Sequence, residues 1–335
     1  MYVMENVGND ARKVMIIAGI IMFILGFIGN ILNICVFAIW SRPRTRIAEH
    51  HTFSETNNIS LYLLVSSIAN LIVVLYPLLT RVIIDGYNYT VSVNNVFLLC
   101  KLRFFVLHTF DFISLASFCM ATFDRYLITS REVHIRRLST TRHRTKQIIL
   151  AIFILFSLHN IPIAIYFQVS NTGQCDISLR EYSHYYLYVC QVLLHGIVPI
   201  IFLSVFGSLT LKHLKRLQSQ RHAHGHGHLN HDKQLSHILF LMSFAIIMSS
   251  IPYCIENIYY DIFYLHSTQQ TSSIFLLHVI CTLLFYTNPV SSFYVYFIST
   301  QNFRYQIKKL IRCNRHEHII VHNQIHTITT AQNIH

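Results

Sequence analysis

VMIIAGIIMFILGFIGNILNICVFAIWS, residues 14–41, contains no Lys, Arg, Asp or Glu. A helix of about 20 apolar residues crosses the hydrocarbon core of a bilayer. An ionised side chain placed there costs at least about 2.5 kcal/mol, so an uncharged run of this length reads as a membrane-spanning helix. Equivalent runs follow at 56–80, 147–175, 182–211, 234–255 and 262–303, and 104–123 carries only Asp111. The apolar runs recur along the whole chain, which excludes a cleaved signal sequence and a soluble domain on one anchor.

Composition agrees. Of 335 residues 53% are hydrophobic and 12% charged, against about 25% charged in soluble domains. Disordered and ordinary soluble proteins are excluded. The runs are too long for tilted barrel strands, and backbone polar groups inside lipid must be satisfied within each segment. The expected fold is therefore all-α, a seven-transmembrane helix bundle. The spans fall near 14–40, 58–82, 97–126, 147–168, 184–211, 234–260 and 272–298.

Lys and Arg collect in cytoplasmic loops. One side receives Arg42, Arg44 and Arg46, then Arg131, Arg136, Arg137, Arg142, Arg144 and Lys146, then Lys212, Lys215, Arg216, Arg221 and Lys233, and finally Arg304, Lys308, Lys309, Arg312 and Arg315. The other receives Arg12, Lys13, Arg81, Lys101, Arg103 and Arg180. The expected localisation is a multi-pass cell-membrane protein with its amino terminus extracellular and its carboxyl terminus cytoplasmic. The net charge of +12 is then a signal of topology and of a face near anionic lipid, not of a nucleic-acid partner. The parts are a short extracellular tail (1–13), the bundle (14–298), an amphipathic membrane-surface helix (299–313) and a cytoplasmic tail (314–335). The helix follows from Phe303, Ile307, Leu310 and Ile311 alternating with Arg304, Lys308, Lys309 and Arg312. The connecting loops are too short to hold a soluble catalytic domain.

The topology puts Cys100 and Cys175 together on the oxidising side, where a disulfide is expected. Cys35, Cys119, Cys190, Cys254 and Cys281 read as small apolar packing residues inside spans. Asn88-Tyr89-Thr90 is a glycosylation triplet on the outer side; Asn58-Ile59-Ser60 lies on the cytoplasmic side and should stay unmodified. Cys313 ends the amphipathic helix as a palmitoylation candidate, against an ordinary reduced thiol. His222, His224, His226, His228 and His231 are close enough to ligate zinc, copper or nickel. They lack Cys or carboxylate support and read better as a solvated linker, so no metal and no cofactor are expected.

The third span ends in Asp124-Arg125-Tyr126, and here the chain resembles rhodopsin-like (class A) G-protein-coupled receptors. In that family the arginine of this triplet pairs with acid at rest and releases as the sixth helix moves out; Asp232 stands where a second acidic partner often lies. Further marks fall at matching places: Gly29-Asn30 in the first span, Pro77, Pro162, Pro199 and Pro252 in the second, fourth, fifth and sixth. The resemblance implies a receptor, not an enzyme, with an extracellular peptide or other small ligand, a heterotrimeric G protein, arrestin and membrane lipids as partners.

Departures from the family pattern qualify it. Asn70 replaces the usual aspartate of the second span, beside Ser114 and Asn288, which weakens a sodium site and leaves a polar network. Ser249-Ser250-Ile251-Pro252 replaces Cys-Trp-x-Pro, so the aromatic lever is missing. The fourth span lacks its tryptophan, and Gly207 stands where a switch tyrosine is common. Asn288-Pro289 mimics the Asn-Pro-x-x-Tyr mark but puts Ser292 at the tyrosine; Tyr296, seven residues before Phe303, is the better switch tyrosine. The seventh span has no lysine for retinal. Leu107 holds the amine-receptor aspartate's place, with His108 next and Asp111 one turn deeper. His108, Asp111, Tyr253, Glu256, Asn257 and Tyr260 are the candidate ligand contacts. Asp176 and Glu181 would draw a basic ligand inward. The tail and the missing anchors resemble invertebrate neuropeptide receptors. The competing class is a polytopic transporter, which should show repeated halves and interrupted helices. An intramembrane enzyme would need nucleophile and base brought together, and no motif joins Asp111, His195 and His278.

Overall fold

A computed structural model describes residues 2–42, 56–92, 95–130, 132–139, 141–169, 175–221, 229–264 and 272–312. Side chains at 2–6, 56–57, 214–238 and 260–264 lie outside that description, as do Cys313 and the histidines from His222 to His228. Seven helices are long and apolar enough to cross a membrane: Val7–Trp40, Asn58–Gly86, Phe97–Thr129, Arg142–Tyr166, Arg180–His213, Leu239–Tyr259 and Ser272–Ser299. These are the seven spans, in chain order. The helix of the first begins at Tyr2, so most of what reads as a tail over 1–13 is a helical extension of that span. Its polarity hid it, because charge marks where lipid begins and not where helix ends.

Three prolines coincide with a local disturbance of the ladder. Pro77 lies in a wide π-type turn, Val74–Leu78. The fourth span breaks at Asn160 (φ −91°, ψ 0°) and resumes as Ile161–Tyr166 with Pro162 in its first turn, where a missing N–H costs nothing. A long π-type stretch, Tyr186–Ile197, precedes Pro199 in the fifth span. Pro252 and Pro289 sit inside continuous helices. Among the described residues the one sheet is a two-stranded hairpin, Phe167–Val169 paired antiparallel with Cys175–Ile177. Cys100 and Cys175 are joined by a disulfide, which fixes this hairpin to the start of the third span.

Lipid tails are as apolar as leucine, so helices associate in a bilayer through close packing and hydrogen bonds. The first span packs chiefly on the seventh and second, the third on the second, fifth and fourth, and the sixth on the fifth and seventh. Glycines let the first span approach closely. A Cβ on Gly26 would stand 3.0 Å from both Val290 and Val74, and one on Gly29 would stand 2.9 Å from Cβ of Phe293. Asn30, fully buried, then spans the joint, donating to the carbonyls of Gly26 at 2.8 Å and Pro289 at 2.9 Å. The fourth span is the least enclosed: Leu150, Phe153, Ile154, Leu155 and Leu158 all face outward, as lipid contact requires.

After Ser299 a helix over 301–312 turns Phe303 and Ile307 into the core while Lys308 and Lys309 stay exposed. Ile311 belongs to the exposed side instead, at 62%. Arg304 caps the last span, donating to the carbonyls of Ile298 at 2.8 Å and Phe297 at 3.3 Å, which a helix C-terminus otherwise leaves unpaired. Cys35 is exposed, unlike Cys190, Cys254 and Cys281, so it does not pack inside the bundle as its apolar setting suggests. Gly29→Val should force the first and seventh spans apart. A loss of about 1–3 kcal/mol is expected, read as a lower thermal midpoint and reduced surface expression.

Candidate functional site

At the end of the bundle held by the disulfide, a cavity of about 580 Å³ opens between the spans. The hairpin supplies Phe167, Asp176 and Ile177 to its wall, the third span Arg103, Phe104 and Leu107, and the seventh span His278, Thr282 and Tyr286. Of the candidate ligand contacts, Tyr253, Glu256 and Asn257 line it; the side chain of Tyr260 lies outside the described residues. His108 and Asp111 do not line it. They belong to a buried polar layer one to two turns deeper on the third span.

That layer links three helices. His195 Nδ1, on the fifth span, stands 2.7 Å from Asp111 Oδ2, and both side chains are only 4% exposed. His195 Nε2 faces Ser250 Oγ of the sixth span at 3.4 Å. One turn outward, His108 meets the Tyr186 hydroxyl at 2.6 Å, and Gln191 donates to the same hydroxyl at 2.9 Å. Ser250 occupies the place of the family's missing tryptophan. Beside this layer lies Phe285, 5.0 Å from His195 and 4.7 Å from Tyr253 between ring centres. Sequence reasoning named His195 but found no motif joining it to Asp111, which the fold brings within 2.7 Å, and it missed Gln191 and Tyr186. Their only signal was the rarity of polar side chains in a span.

Towards the middle of the bundle Ser114 donates to Asn70 at 2.6 Å and meets Ser66 at 2.8 Å. This is the polar network expected in place of an acidic pocket. Asn288 is buried on the seventh span, while Ser292 accepts from Asn33 of the first at 3.1 Å.

At the other end Asp124 and Arg125 are each 1% exposed. Ser139, just after the short helix Val133–Arg137, donates to Asp124 at 3.4 Å, tying the second loop to the triplet. Tyr126 packs on Phe206 and His213 of the fifth span, at 5.3 and 5.6 Å. A Cβ on Gly207 would meet nothing within 4 Å, so the absent tyrosine leaves open space. Tyr296 is 3% exposed and packs on Phe37 (5.2 Å) and Phe303 (5.8 Å), a placement consistent with its seven-residue spacing. Asp232 falls in the helix Leu229–Tyr264, its side chain outside the described residues.

Residues 29–296 match the family described as 7 transmembrane receptor (rhodopsin family). The chain belongs to the rhodopsin family of seven-transmembrane receptors. No curated protein matches it. Membership makes this a multi-pass membrane receptor of a class not associated with catalytic activity, and the geometry above gives the receptor a cavity at one end, a buried charged triplet at the other, and polar layers between them. Among the described residues no His, Cys, Asp or Glu group is arranged to hold a metal ion.

The Asp111–His195 contact should be energetically coupled. Asp111→Asn and His195→Gln should each lower the receptor's thermal midpoint, and the double variant should fall short of their sum by about 0.5–3 kcal/mol. Additive losses would show that the two residues act separately.

Proposed function

We propose that the receptor transmits the binding of an extracellular ligand, a small neuropeptide, to a heterotrimeric G protein. The observation that carries the reading is the pairing of the cavity with the buried Asp124-Arg125 pair on one continuous helix, Arg103–Thr129. At 1.5 Å per residue they are roughly 30 Å apart, the span of a bilayer. A ligand that binds one arrangement of the helices better shifts the population towards it, and the transducer at the far end gains by the same factor. Leu107, at the amine receptors' aspartate position, lines the cavity, and Tyr89, Tyr186, Tyr253, Tyr286 and Asn257 give it the mixed aromatic and polar wall that suits a peptide.

In this reading Asp111, His195 and Ser250 act where the family uses an aromatic lever, coupling the third, fifth and sixth spans. Arg125, with Asp124, Tyr126, Asp232 and Tyr296, opens the transducer cavity, and arrestin takes the same face. The amino terminus is extracellular. Asn88 is the glycosylation acceptor: it is exposed at the cavity rim, and its Oδ1 accepts from Arg12 at 3.1 Å, leaving its amide nitrogen for the sugar. Cys313 carries the palmitoyl group.

A peptide and amine library, screened for ligand-dependent nucleotide exchange on G proteins, tests the proposal. Arg125→Ala should cut the response by about tenfold or more at unchanged surface expression. Full exchange in that variant would remove Arg125 from the mechanism, and substrate flux in place of exchange would favour a transporter.

A further inference from the structure

The acids lining the cavity are each engaged by a neighbour. Asp85 pairs with Arg81 at 2.6 Å, Asp176 Oδ1 accepts from the backbone N–H of Ile177 at 2.7 Å, and Glu256 Oε1 faces His278 Nδ1 at 3.0 Å. His278 is also held by Arg81. Among the cations, Arg12 bonds Asn88 and Arg81 has the partners just named. Arg103 differs. It lines the same cavity, is 4% exposed, and its Nη1 has no hydrogen-bond partner. Its recorded contact is with the face of Phe104, 4.4 Å from guanidinium carbon to ring centre.

A guanidinium offers five donors in a planar fork and keeps its charge in any protein. Burial without an acceptor costs several kcal/mol, and an aromatic face offsets only about 1–2 of them. Arg103 is three residues after Cys100, whose bond to Cys175 holds that end of the third span against the hairpin. The side chain is therefore presented from a braced element. Across the cavity, on the sixth and seventh spans, Glu256 Oε2 and Thr282 Oγ1 are buried with no partner as well.

We propose that Arg103 is the anchor for a ligand carboxylate, which it takes as a two-pronged pair, while Glu256 Oε2 and Thr282 hold polar groups elsewhere on the same ligand. This rests on the cavity being the receptor's ligand site and names the chemistry it selects. It runs against the expectation of a basic ligand drawn by Asp176 and Glu181, since the cavity wall carries a buried cation and Glu181 does not line it. It also sends a free peptide carboxyl terminus or an acidic side chain, not an amidated end, to the third span.

The test uses full-length receptor in lipid nanodiscs, unfolded thermally with benzoate, benzamide or phenyl phosphate at matched ionic strength. Benzoate should raise the midpoint by about 3 °C; uncharged benzamide of the same size should not. The rise should vanish in Arg103→Met and in Arg103→Gln. Without any additive, Arg103→Met should be at least as stable as the wild type, since it removes an uncompensated buried charge; a structural arginine would leave it less stable. Equal rises with benzoate and benzamide, a benzoate rise that survives in either variant, or no benzoate rise in the wild type overturns the proposal. So does stabilisation by phenyl phosphate alone, which would assign the site to phosphate esters. The measurement involves no G protein, so failed coupling leaves a positive benzoate result intact. Arg125-dependent signalling without a benzoate shift would overturn the carboxylate assignment alone.

Discussion

A polar group inside a bilayer has no water to fall back on, and that constraint determines which helices of this receptor are neighbours. Every span must close its own backbone ladder, and several of the polar side chains that remain are answered from another helix. Asn30 is bonded to Pro289, Asn33 to Ser292, Ser114 to Asn70 and Ser66, and His108 to Tyr186. Each bond names a pair of helices: the first with the seventh, the second with the third, and the third with the fifth. Apolar packing fills between them without choosing among them, since a leucine facing lipid is as well placed as one facing a neighbour.

The fold was legible because charge is so costly in hydrocarbon. The empty stretches of the charge pattern mark all seven spans, with ends that differ from the helices by as much as the step from 262 to Ser272. What charge could not reveal is helix that continues into water, such as the turns from Tyr2 into the first span, or the short strands of the hairpin. Six residues of strand carry too little pattern to announce themselves, and their pairing depends on where the disulfide holds them.

The site was half legible. Tyr253, Glu256 and Asn257 are on the cavity wall, as a polar face near the end of a span suggests. Asp111 was recognised as unusual, but its partner, His195, lies 84 positions later in the chain, and only the packing of the fifth span on the third brings them together. Arg103 was hidden for the opposite reason. Near a span's end an arginine ordinarily reaches back to the headgroups, and only its enclosure beside the braced hairpin shows that it does not.

The chain Asp111–His195–Ser250 has one short joint, at 2.7 Å, and one long joint, at 3.4 Å. Strain applied along it concentrates at the longer. The third and fifth spans are thereby bolted at this depth, while the sixth is merely latched to them. The sixth span is thus joined to this layer by the longer of the two contacts, at Ser250, two residues before Pro252.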